Sequence, residues 1–93
     1  MNEITISTKD AKIFGLVEAV IIAILRKHNH GWTYVNLRNF CSFIDPMEFS
    51  EAMLHLVSED ILVFMKGWAF SEGEPKEGYA ISLDMDRLVR YEG

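Results

Sequence analysis

Asp45-Pro46-Met47-Glu48 fixes the start of a helix more tightly than any other stretch of the chain. Asp45 can accept from the backbone N–H of Glu48, and Glu48 can reach back to the N–H of Asp45. Pro46 occupies the first helical position, where a missing N–H costs nothing. Phe49, Ala52, Met53, Leu56 and Val57 then recur at helical spacing, so the segment from Pro46 to Ser58 has one apolar face. Its other face carries Met47, Glu48, Ser50, Glu51, Leu54 and His55, without a lysine or arginine. The rest of the chain must bury the first face and leave the second outward.

Charge is concentrated around that helix. The chain has 14 acids and nine bases, for a net charge of −5. Five of the acids (Asp45, Glu48, Glu51, Glu59, Asp60) fall between 45 and 60, a span with no Lys or Arg. Elsewhere acids and bases balance, so the whole excess belongs to the outward helix and its flanks. Acids near a helix N-terminus complement its dipole, which accounts for Asp45 and Glu48 but not for Glu59 and Asp60. Broad nucleic-acid affinity is disfavoured, because it depends on neutralising phosphates with Lys and Arg.

The 93 residues suffice for one domain spanning 1–93 with one core. Hydrophobic residues at 49% are those of a folded chain rather than a disordered tail. One cysteine, Cys41, excludes an intrachain disulfide and points to a reducing, cytoplasmic setting. No basic region precedes an apolar run at the N-terminus, so no signal peptide is expected, and the run from Leu16 to Leu25 is too short to span a bilayer.

In chain order, Ile4-Thr5-Ile6 alternates as a short strand would, and Ser7 or Thr8 can cap one or two turns over Asp10–Phe14. Gly15 permits a break. Leu16 to His28 is apolar nearly all round, as a buried helix is, and ends in Arg26-Lys27-His28. A turn over Asn29–Trp32 leads to Thr33, a cap for a helix from Tyr34 to Cys41 with Val35, Leu37, Phe40 and Cys41 inward. After the central helix, Ile61–Met65 reads as a strand, extendable through Phe70. Ser71–Gly78, with Gly73, Pro75 and Gly78, reads as a loop. Tyr79–Leu83 returns, and Asp84 caps a last helix from Met85 to Tyr91 with Leu88 and Val89 available to pack. Three helices closed by a hairpin predict an α+β winged helix-turn-helix. The hairpin Ile61–Leu83 forms the wing, its tip near Glu72–Glu77, and Ile4–Ile6 forms a third strand. The central helix then takes the place of the helix that enters the groove.

Several short runs resemble the winged helix of phage replisome-organiser and primosomal (DnaD-like) proteins. Ile13-Phe14-Gly15-Leu16-Val17-Glu18-Ala19-Val20-Ile21-Ile22 is similar to their opening Gly-Leu-x-Glu-Ala-apolar segment. Trp32-Thr33-Tyr34-Val35-Asn36-Leu37 resembles the start of their second helix, and Phe43-Ile44-Asp45-Pro46-Met47 the turn before the recognition helix. Leu56-Val57-Ser58-Glu59-Asp60-Ile61-Leu62 and Tyr79-Ala80-Ile81-Ser82-Leu83-Asp84-Met85-Asp86-Arg87-Leu88 continue the likeness in order. The resemblance implies a winged helix, a replication setting and DNA as partner. The family's recognition helix is rich in Arg and Lys, whereas Ser50–His55 has neither.

No residue set supports catalysis or a cofactor. His28-Asn29-His30 shares only letters with a nuclease class, and His28, His30, Cys41 and His55 lack Cys-x-x-Cys or His-x-x-x-His spacing. Cys41 is read as an inert core thiol and Trp32 as a staple onto Asn36 or Leu37. Trp68 is either half core or an anchor on a base or a protein.

Two functions follow. The first is a DNA-binding regulator of phage or mobile-element replication or transcription. In it Ser50, Glu51 and His55 read bases and Arg38, Lys66 and Lys76 touch phosphates, so few contacts that a homodimer is required. The alternative is a winged helix repurposed for protein contact, its acidic face meeting a basic partner as a DNA mimic does, with Met47, Leu54 and Trp68 as apolar anchors. The first is preferred narrowly, on the resemblance alone; the charge alone favours the second. Neither involves a membrane or a small-molecule substrate.

Overall fold

The computed structural model describes residues 4–29, 31–71 and 74–93, with backbone alone for 67–71 and 74–79. Over the described residues the chain is a small α+β fold of five helices and a two-stranded antiparallel sheet. Helices α1 (Thr8–Ile13), α2 (Leu16–Lys27), α3 (Tyr34–Phe40) and α4 (Pro46–Ser58) precede β1 (Leu62–Ser71) and β2 (Glu74–Leu83), and α5 (Met85–Glu92) closes the chain. Among the described residues no helix is long and apolar enough to cross a membrane.

Side-chain caps set the starts of four helices. Ser7 accepts from Asp10 N, Thr33 from Asn36 N, Asp45 from Met47 N and Glu48 N, and Asp84 from Arg87 N. Each satisfies amide protons that the first helical turn leaves orphaned. The remaining helix, α2, begins after Gly15, whose φ of 122° and ψ of 163° lie in a region open essentially to glycine alone. Helix α4 ends differently: Asp60 takes φ 59°, Ile61 N donates to Leu56 O and Asp60 N to Val57 O. These two bonds make a Schellman stop, and the buried pair Leu56 and Ile61 seals it.

The core lies between α2, α4 and the base of the ribbon. Ile21, Ile22, Ile24, Leu25, Leu37, Phe49, Leu56, Ile61, Ile81 and Leu88 are fully buried in it. Cys41 is also buried, which pushes its thiol up to about 11 and keeps it unreactive.

Tertiary contacts correct several sequence expectations. Ile4–Ile6 forms no strand; Trp32 instead bridges β2, exchanging both backbone hydrogen bonds with Ile81. Trp32 also packs edge-on to Phe40 and donates from its indole to His28 O at 2.6 Å. The ribbon is longer than its turn residues suggest. Pairing continues to Ser71 opposite Glu74, placing Pro75 and Gly78 inside β2, opposite Phe70 and Gly67. A two-stranded ribbon has two free edges, where a proline without an N–H is tolerated. Of the tip expected over Glu72–Glu77, residues 74–77 belong to β2, whereas 72 and 73 lie outside the described residues, as does His30. Leu16, Val35, Phe40 and Val89 are exposed rather than buried, Phe40 with its ring edge-on to Trp32.

One buried carboxyl carries no apolar signature in the sequence. Asp10 is 1% exposed, with one oxygen 3.6 Å from Arg26 Nη2 and the other without a partner. Arg26 is shared with Glu92 at 2.8 Å, so the cluster joins α1, α2 and α5. Burial, reinforced by Glu92, raises the Asp10 pKa to about 6. A folded-state value above the unfolded 3.8 means that the folded form holds the proton more tightly. Its stabilising contribution is complete below about pH 4 and is lost as pH rises through about 6. Asp10→Asn, neutral at every pH, should therefore melt higher than the native chain at pH 7, the gap closing towards pH 4. Thermal melts across that range check this; an Asn variant less stable at pH 7 would contradict it.

Candidate interaction surface

Helix α4 presents three stripes, because residues three and four apart share a face. Phe49, Ala52, Met53 and Leu56 form the buried stripe. The second stripe faces α2 across a cleft lined by Val17, Glu18, Glu48, Glu51, Ala52 and His55. The third faces α3 and β1 across a groove of about 300 Å³ lined by Tyr34, Ser50, Met53, Leu54, Val57 and Phe64. Met47 and Leu54 stand on the crest between cleft and groove, each 71% exposed.

The acidic flank is fixed from below. Glu18 Oε2 accepts from His55 Nδ1 at 2.6 Å, tying α2 to α4, and the Phe14 ring stands edge-on to the imidazole. Ser58 donates to His55 O at 2.7 Å. Asp45 caps the helix, as its sequence position requires, but Glu48 does not return the bond; it remains exposed on the cleft side. Glu51 is exposed beside it.

The groove is the apolar flank. Phe64 lies on the ribbon face that Leu62 buries and pairs with the buried Ile81, yet is itself 48% exposed. Tyr34 rests edge-on against Phe49, and its hydroxyl lies 3.4 Å from Ser50 Oγ.

The sequence-predicted residues divide accordingly. Met47, Ser50, Glu51 and Leu54 come together on the exposed side of α4. His55 is turned into the cleft. Arg38 is engaged inside the fold: Nη1 donates to Cys41 O at 2.9 Å, and the guanidinium sits 5.3 Å from the Phe49 ring centroid. Lys66 is exposed on β1, two residues beyond the groove-lining Phe64. The side chains of Trp68 and Lys76 lie outside the described residues; their backbones pair with Glu77 and Ala69. Tyr34, Phe64 and Glu18 were not singled out from the sequence. Phe64 was the most discoverable, two residues after Leu62 and so on the same face of the strand.

Among the described residues no group of three or more His, Cys, Asp or Glu side chains could hold a metal ion. Compared with known proteins, the chain matches no family model, no curated protein and no solved structure. The likeness to replisome-organiser proteins rests on the residues quoted above.

Proposed function

We propose that the chain is a winged helix whose recognition-helix position serves protein contact rather than DNA, in a non-catalytic, cytoplasmic role. Three consecutive helices followed by an antiparallel ribbon support the winged-helix reading, and the buried free thiol of Cys41 fits a reducing compartment. The observation that carries the function is the exposed side of α4. It offers Met47 and Leu54 beside Glu48 and Glu51 and has no cation of its own. Carboxylates brought up to a duplex meet roughly one phosphate charge per 1.7 Å of its axis. The same carboxylates attract a basic protein surface, and exposed Met and Leu give it apolar area to bury. Of the two cations nearest to α4 in sequence, Arg38 is held by Cys41 O and Phe49, and Lys66 is exposed on β1.

The DNA reading draws on the resemblance alone. Charge reversal separates the two. Glu48→Lys with Glu51→Lys moves the net charge from −5 to −1, two units per replacement, without touching the buried stripe. The reversed variant should bind random duplex at low salt with a dissociation constant on the order of 10 μM, within the ordinary non-specific range. A reversed variant that remains as indifferent to duplex as the native chain would show that charge on α4 does not select the partner.

A further inference from the structure

We propose that the groove between α3, α4 and β1 receives an amphipathic basic helix from a partner protein, laid along α4 with its cations towards Glu48 and Glu51. This rests on the protein-contact reading above and specifies what the surface holds. Ser50, Met53, Leu54 and Val57 are spaced i, i+3, i+4 and i+7, so the groove follows α4 for two turns, about 10 Å. Tyr34 and Phe64 form its far wall. A trough of that length parallel to a helix accepts apolar side chains spaced three and four residues apart on a second helix.

Charge selects the occupant. The opposite flank of α4 carries Glu48 and Glu51 above Glu18, within one helix diameter of the groove. A helix seated in the groove and leaning over the crest at Met47 and Leu54 thus meets apolar surface on one side and carboxylates on the other. Lysines or arginines flanking its apolar stripe match that division. A second copy of this chain does not, since a two-fold contact over α4 would bring the same acidic stripe against itself.

The probe is a Leu/Lys peptide about four helical turns long, with leucines at i, i+3, i+4 and i+7. Titrated into the native chain and followed by ¹H–¹⁵N NMR, it should shift amides of Tyr34, Ser50, Leu54, Val57 and Phe64, together with Glu48 and Glu51. Affinity should weaken as salt rises. Leu54→Ser or Phe64→Ser should reduce affinity at least tenfold, and Leu54→Ser should leave the rest of the spectrum unchanged, since Leu54 is largely exposed. A Leu/Glu peptide of the same pattern, and a Lys/Ala peptide without the leucines, should each bind at least tenfold more weakly. Equal binding of the Leu/Glu peptide, shifts centred elsewhere, or self-association of the native chain abolished by Leu54→Ser would each overturn the assignment. A chain that ignores both duplex and Leu/Lys peptide would remove the helix-in-groove inference alone, whereas duplex shifting the same amides would remove the parent reading.

Discussion

Phe49→Ala is expected to lower the unfolding free energy by about 3–5 kcal/mol, the usual loss for a fully buried aromatic. Phe49 is completely inaccessible and sits where α3 and α4 meet. Its ring takes the edge of Tyr34 at a centroid distance of 5.7 Å and the Arg38 guanidinium on its face. Truncation leaves a cavity and frees Arg38, whose bond to Cys41 O depends on the same packing. For a domain of this size each kcal/mol corresponds to roughly 4–8 °C, so the melting temperature should fall by at least about 12 °C. Urea denaturation followed by circular dichroism measures the loss. A value below about 1 kcal/mol would mean that α4 is not docked through Phe49.

Gly15→Ala should cost about 2–4 kcal/mol, although it adds one methyl group at a partly exposed position. Two effects contribute. The backbone at φ 122° and ψ 163° excludes side-chain-bearing residues, a strain of about 1–3 kcal/mol. The new Cβ would also lie 2.8 Å from Glu18 Oε1. Moving that carboxylate aside disturbs the bond that its other oxygen makes to His55, a further loss of about 1 kcal/mol. A double-mutant cycle separates the two, because a Glu18→Ala background removes the carboxylate nearest the new methyl group and leaves the backbone strain. Equal penalties in both backgrounds would show that the link between α2 and α4 does not feel position 15.

The helices were legible in the sequence because their signals are local. Ser7, Thr33, Asp45 and Asp84 each cap from the position that their spacing to the next apolar residue implies. The break at Gly15 and the buried stripe of α4 follow from the same short-range rules. Facts decided by distant residues were not legible. Whether Ile4–Ile6 or Trp32 pairs with the ribbon depends on which backbone reaches Ile81, and nothing near either segment records that. Pro75 and Gly78 read as a loop until a cross-strand partner holds them extended. Asp10 looks like an ordinary first-turn acid; only the convergence of Arg26 and Glu92 shows it to be buried.

The candidate surface follows the same division. The outward position of Met47, Glu48, Ser50, Glu51 and Leu54 comes from helical periodicity. The groove needs Tyr34 and Phe64, which are contributed by two other elements. Arg38 shows the reverse case: as a residue type it suggests a phosphate contact, whereas its surroundings give it a carbonyl and an aromatic face inside the fold.

The most direct test of the account is a fluorescence-anisotropy titration of the native chain against random duplex DNA at low salt. With Glu48 and Glu51 on the exposed side of α4 and no cation among them, the anisotropy should stay flat to tens of micromolar, where ordinary non-specific binders already respond. Saturable binding in that range, with an affinity that falls steeply as salt is added, would contradict it.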